Sequence, residues 1–170
     1  MFLYHVAGAV LVFRYVFRDP KVDIRFLVTG AVLPNLVDKP LAWLLPAWGA
    51  DRLIGHSLLF STTIMVGVLI GTRRGRRRRA WMAMAIGAMI HLVLDGMWAS
   101  AGTFLWPFLG WSFDQTSATW WTDLPGRLLV PLVAVKEVAG VAYLAYLWNK
   151  TGLSDATVRS RFVATGRLVA

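Results

Sequence analysis

The 170 residues are 57% hydrophobic, with a mean hydropathy of +0.57 and a formal net charge of +9. Soluble domains sit nearer roughly 45–50% apolar, so lipid must solvate much of this surface, and the basic excess fits cytoplasmic loops rather than a nucleic-acid face. Absence of cysteine excludes disulfides, thiolate metal ligands and a cysteine nucleophile.

Five apolar stretches predict an all-α, polytopic transmembrane bundle. The first, 2–17, is short for a crossing, which needs ~20 residues, and carries His5 about one turn from its outer end. Its own His5 and Arg14, and its lack of a basic leader region, mark it as a retained helix. The second, 26–49, is interrupted by Pro34, Pro40 and Pro46 and is expected to be kinked or broken, as segments lining a polar cavity often are. It holds Asp38, roughly 18 Å along a helix begun at Phe26, and Lys39. The third, 53–72, follows Arg52 and opens on His56 and Ser57.

Between the third and fourth stretches lies Arg73–Arg79, six arginines in seven positions. The positive-inside rule makes this run cytoplasmic, a loop among lipid headgroups. The fourth stretch, 80–106, carries His91 and Asp95 roughly 16 and 22 Å up a ~30 Å core. It leaves the membrane near Ser100–Gly102, and Thr103–Trp111 is expected to lie in the interface. The fifth, 124–148, contains Lys136 and Glu137. Arg14, Arg18, Lys21 and Arg25 between the first two stretches, and Lys150, Arg159, Arg161 and Arg167 in the tail, also belong inside. These assignments alternate consistently only with five spans, N-terminus outside and C-terminus inside. Trp43, Trp48, Trp98, Trp106, Trp111, Trp120 and Trp121 then fall on the outer side and Trp81 and Trp148 on the inner, as headgroup-level belts require. The expected organisation is one helical domain over 1–150 and a basic cytoplasmic tail over 151–170.

Ionisable groups inside a membrane are costly and are paired or functional. All three histidines, His5, His56 and His91, fall in apolar segments, and with Asp38 and Asp95 they occupy the outer half. His91 and Asp95, at i and i+4, present a nitrogen and a carboxylate on one helix face, a set that suits a divalent metal, zinc or alternatively manganese. Asp38 with Lys39, and Lys136 with Glu137, also fit as neutralising pairs. Asp38, Asp95 or Glu137 could serve as general base or orient a ligand. Lys39 and Arg52 sit where a substrate phosphate would meet them, with Ser57 beside His56 in support.

Four motifs in order, Leu33-Pro-Asn-Leu-Val-Asp-Lys-Pro40, Gly55-His-Ser-Leu-Leu-Phe60, His91-Leu-Val-Leu-Asp95 and Phe104-Leu-Trp-Pro107, resemble the YdjM-like family of LexA-regulated inner-membrane, metal-dependent hydrolases. The resemblance spans roughly residues 5 to 140. It implies that His5, Asp38, His56, His91 and Asp95 are metal ligands, and a further similarity to zinc-dependent phospholipase C and P1-type nucleases implies phosphoester hydrolysis. Asn35 stands where the family often has aspartate. The expected function is a multi-pass inner-membrane metallohydrolase acting on a phosphoester of a lipid or lipid-linked substrate, its site toward the non-cytoplasmic face. Membrane lipids are the expected partners. The alternatives are a metal- or proton-binding or transport protein, and a structural membrane protein with a metal staple.

Overall fold

A computed structural model describes residues 2–115 and 130–168, and every regular element among them is helical. Helix α1 (Leu3–Val12) continues as a π-helical turn, Phe13–Phe17. Helix α2 (Ile24–Leu44) is followed by single 3₁₀ turns at Pro46–Trp48 and Ile54–His56. Then come α3 (Leu58–Gly71), α4 (Arg76–Leu94), a turn at Met97–Ala99, and the short α5 (Ala101–Phe104). Helices α6 (Pro131–Lys150) and α7 (Ala156–Thr165) complete the chain. Trp120, Trp121 and the expected start of the fifth stretch at Leu124 lie outside the described residues.

The second stretch corrects the sequence-based expectation. Pro34 and Pro40 lie inside α2, which runs unbroken to Leu44 and ends before Pro46. Each internal proline withdraws the donor from the carbonyl four residues back, here Gly30 and Leu36, and the surrounding bundle holds the helix together regardless.

Local chemistry sets the other ends. Ser57 caps α3, its Oγ accepting Phe60 N–H at 3.1 Å. Gly96, at φ +65°, ends α4 directly after Asp95 in the left-handed conformation that glycine supplies most readily. Arg78 donates to the Leu69 carbonyl at 2.8 Å and to the Thr72 carbonyl, covering the exposed acceptors at the end of α3. At least one arginine of the basic run therefore has a structural post.

Asp23 caps α2 by accepting Arg25 N–H at 3.1 Å, and the Arg25 guanidinium grips both its oxygens, at 2.9 and 2.7 Å. That grip holds the Asp23 carboxyl below the usual carboxylate range. A lowered folded-state value means the cap stabilises fully above the ordinary carboxylate pKa and is lost as pH falls through the lowered value. Amide exchange at Arg25 should therefore stay slow at mildly acid pH and quicken only in strong acid; protection unchanged at the acid end would count against the capping role.

Helix directions follow from the contacts. Glu137 of α6 meets Phe2 and Leu3, Gly140 meets Tyr4, and Leu147 shares a core with Phe13, so α6 runs parallel to α1. Phe26 packs edge-on to Trp81 at 5.2 Å, and further toward both C-termini Ala31 meets His91, so α2 and α4 are parallel to each other. His5, near the start of α1, reaches Asp95 at the end of α4, and so α1 opposes α4. Arg78 near the start of α4 reaches the end of α3, which therefore also runs against α4.

Two glycines bring α2 and α4 into backbone contact. A Cβ on Gly30 would strike the Met84 carbonyl, and one on Gly87 would strike the Leu27 carbonyl. Small residues at such crossings matter most where lipid is as apolar as the side chains and burial alone drives little association. Around this crossing, Val10, Phe13, Leu27, Ala31, Ile90 and Leu147 belong to the main core. Phe162 and Leu168 join it from the tail, where Gly166 O accepts Ile24 N–H at 2.8 Å.

Among the described residues, one helix, Pro131–Lys150, is long and apolar enough to cross a membrane. Leu3–Phe17 and Leu58–Gly71 are apolar but shorter. Helices α2 and α4 have 21 and 19 residues, but Asp38 and Lys39 in one and the arginines 76–79 in the other interrupt their apolar character.

Candidate metal centre

Three separate segments deliver the buried histidines to one place. His5 comes from the first turns of α1, His56 from the 3₁₀ turn before α3, and His91 from the last turn of α4, with Asp95 at that helix's C-cap. All three histidines are buried, and the Asp95 side chain nearly so. His5, His91 and Asp95 each offer an atom within 4.8 Å of the others, a group that could hold a metal ion. His5 Nε2 lies 2.8 Å from Asp95 Oδ1, and its ring stacks on His91 with centroids 4.0 Å apart. His56 joins from the side, with Nε2 3.3 Å from His91 Nε2 and 3.5 Å from Asp95 Oδ2.

The far sides of two rings decide which atoms face the cluster. His91 donates Nδ1–H to the Ala31 carbonyl at 2.6 Å, and His56 donates Nδ1–H to Asp38 Oδ2 at 2.6 Å. A neutral imidazole with Nδ1 protonated carries its lone pair on Nε2. With both rings neutral, two lone pairs face each other 3.3 Å apart, with the Asp95 carboxylate 3.5 and 3.7 Å away. Acceptors crowded in a dry place repel unless a cation sits among them. Neutral nitrogens plus one carboxylate suit a divalent first-row ion, so the residues present fit a metal.

Asp38 has a different role from the ligand expected of it. Its Oδ2 accepts Leu53 N–H at 2.6 Å, His56 N–H at 3.1 Å and the His56 ring, while Oδ1 accepts Gly55 N–H at 2.6 Å. Four donors occupy the carboxylate, which folds residues 53–56 into their turn and aims the His56 ring. Gly55 is required there, because a Cβ would press on Asp38 Oδ1 at 2.7 Å and on the Pro34 carbonyl at 2.8 Å. A partner that orients a ligand imidazole typically sets ~10–100-fold of metal affinity. Asp38→Asn should weaken binding by about that factor, read by competition with a chromophoric chelator, with stoichiometry at saturation unchanged; unaltered affinity would remove Asp38 from the site.

Two further candidates are engaged at helix starts. Glu137 accepts Phe2 N–H at 2.6 Å and Leu3 N–H at 3.1 Å, capping α1. Ser57 is committed to its own helix, donating to the Ile54 carbonyl at 2.6 Å while accepting from Phe60. Lys39 is half-buried beside Asp38 on α2. Arg52 does reach the cluster, its guanidinium 3.4 Å from Asp95 Oδ2 with the side chain 33% exposed. Two more groups contribute: the Ala31 carbonyl, not nominated from sequence, and Asn35, which stands at the family's aspartate position and whose Nδ2 is 3.5 Å from His91 Nε2. The signal was present, since Ala31, Asn35 and Asp38 recur at helical spacing and so share a face of α2.

Apolar side chains point outward on several helices, including Val135 and Val138 of α6 and Ile70 of α3, while the polar cluster lies inside. That inversion defines a helical membrane protein built around a buried polar site. The chain belongs to the YdjM inner membrane protein family, whose family model matches residues 1–156. No curated protein and no solved structure matches it.

Proposed function

We propose that this protein is a five-span inner-membrane hydrolase that cleaves a phosphoester of a lipid or lipid-linked substrate at the outer leaflet. His5, His56, His91 and Asp95 would hold a divalent metal, zinc before manganese. The observation that carries the reading is the meeting of the His56 and His91 Nε2 atoms, 3.3 Å apart, beside the Asp95 carboxylate. A divalent ion bound there supplies Lewis acidity toward a phosphoryl oxygen and lowers the pKa of a bound water to about 7.

The chain's own residues do the remaining work. Asp38 and the Ala31 carbonyl keep the two ring nitrogens in the ligating tautomer. Asp95 offsets cationic charge and is the carboxylate within reach to take a proton from water. Arg52 is partly exposed and points a guanidinium at the same carboxylate, so an arriving phosphate can exchange for Asp95 as its partner.

The alternation of helix directions supports five spans, with α1, α3 and α6 opposed to α2 and α4. The segments holding Arg14–Arg25 and Arg73–Arg79 meet at one end, where Arg79 Nε is 3.8 Å from Asp19 Oδ2. The positive-inside rule assigns that end to the cytoplasm and the His/Asp cluster to the other face. Exposed Trp43, Trp98 and Trp111 on the cluster's side suit the outer headgroup level.

A test is headgroup or phosphate release from phosphatidate, phosphatidylglycerol and a prenyl diphosphate in nanodiscs, followed by mass spectrometry. Wild type with zinc should turn over at least one of them; chelator should stop it, and Arg52→Ala should slow it by ~10-fold or more. Full zinc occupancy with none of these hydrolysed would favour the staple reading, since the cluster already ties α1, α4 and the turn before α3 together.

A further inference from the structure

A second polar cavity lies at the opposite end of the bundle. Thirteen residues separate His5 from Arg18, roughly 20 Å of helix. There the turn from α1 to α2 borders a cavity of about 280 Å³ lined by Arg14, Arg18 and Asp19, with Phe13, Ile24 and Leu168 among its apolar walls.

Its charge is unbalanced toward the positive. Two guanidiniums face one carboxylate, and that carboxylate is engaged elsewhere: Asp19 Oδ1 accepts Lys21 N–H at 2.8 Å, and Oδ2 lies 3.8 Å from Arg79 Nε. Arg18 closes the turn at φ +50°, the one non-glycine residue with positive φ among those described, and its Nε donates to the Tyr15 carbonyl at 3.1 Å. The remaining wall is tertiary, because Leu168 arrives from the chain's far end, latched by Gly166 O to Ile24 N–H at 2.8 Å. An adjoining cavity of about 240 Å³ shares Leu168 and brings Arg161 and Arg167.

We propose that this cavity binds the phosphate of an anionic ligand. Guanidiniums pair with phosphate oxygens in forked geometry, and basic pockets between membrane helices hold anionic headgroups. The volume falls just below the roughly 300–1,000 Å³ of drug-sized pockets, so it suits a phosphate with a small ester, with any acyl chains left outside. Val16 and Phe17 of the same turn are exposed and apolar, so such chains could lie beside them. An anionic phospholipid headgroup and free phosphate are the two sources of this chemistry.

The test is isothermal titration of the full chain in neutral maltoside detergent with dihexanoyl phosphatidylglycerol, dihexanoyl phosphatidylcholine and inorganic phosphate. Phosphatidylglycerol should bind, phosphatidylcholine should not, and the Arg14→Gln/Arg18→Gln chain should bind at least ten-fold more weakly. Leu168→Trp, which fills the cavity with every charge in place, should weaken binding as much, while Arg14→Lys/Arg18→Lys retains most of it. Circular dichroism confirms helicity in each. Phosphatidylglycerol well ahead of inorganic phosphate identifies a lipid source, and parity identifies a soluble anion. Binding of phosphatidylglycerol unchanged in both the glutamine and Leu168→Trp chains, or equal binding of phosphatidylcholine, would overturn the site.

Discussion

His91→Ala should abolish stoichiometric metal binding, taking elemental analysis of the detergent-purified protein from roughly one zinc or manganese per chain to background. The side chain has three engagements at once. Its Nε2 belongs to the ligand group, its ring stacks on His5 at 4.0 Å, and its Nδ1–H satisfies the Ala31 carbonyl at 2.6 Å. Removing it deletes a ligand, takes away the ring that stacks on His5, and breaks the side-chain hydrogen bond that ties α4 to the Ala31 carbonyl of α2. Asp95→Ala should give the same loss of metal, because that carboxylate touches all three histidines. Glu137→Gln should keep full occupancy, since that side chain caps α1. Wild-type protein without metal after reconstitution would mean that a proton bridges the facing nitrogens, and the cluster would then be a packing device or a relay.

Gly30→Leu should destabilise the bundle more than an equivalent change on any lipid-facing helix surface. A Cβ at Gly30 meets the carbonyl and, at 2.8 Å, the Cα of Met84, and a Cβ at Gly87 meets Ala31 N at 2.9 Å from the other side. These are backbone atoms, so no rotamer change relieves the clash and the helices must separate. Overpacking costs about 1–3 kcal/mol where side chains can shift, and more where they cannot. Separation also strains the Ala31–His91 hydrogen bond one turn further along, so metal affinity should fall together with the thermal midpoint. Gly67→Leu is the control, because nothing lies within 4 Å of a Cβ there. Equal midpoints for the two variants would show that Gly30 is not needed for the close approach of α2 and α4.

The helical class and the family were both legible in the sequence, for one physical reason. Long apolar runs in lipid leave backbone amides no partner but each other, so the pattern of apolar residues announces helices. The few polar residues interrupting those runs then stand out as motif positions. Length was read less well: α3 stops at Gly71 after 14 residues, and α2 keeps Pro34 and Pro40 inside it, because neighbouring helices override what proline does to an isolated helix.

Ser57 and Glu137 show where residue type misleads. Each resembles a chemical group and serves a helix start, because unsatisfied N–H groups in apolar surroundings take whichever acceptor is nearest. For Phe2 that acceptor lies 135 residues away, a proximity no local pattern encodes. His91 and Asp95 are the opposite case, since four residues on one helix place them on one face whatever the rest of the chain does.

Sequence by itself therefore determined the apolar helical class, the family, and the inventory of three histidines and two aspartates available to one site. Tertiary structure decided which of their atoms remain available. Asp38 and Asp95 are alike as residues, yet one carboxylate is filled by the turn at residues 53–56 and the other faces three rings. That difference is set by what folds against each oxygen: residues 53–56 turn back onto Asp38 with four donors, whereas α1, α4 and the turn before α3 bring imidazole rings to Asp95.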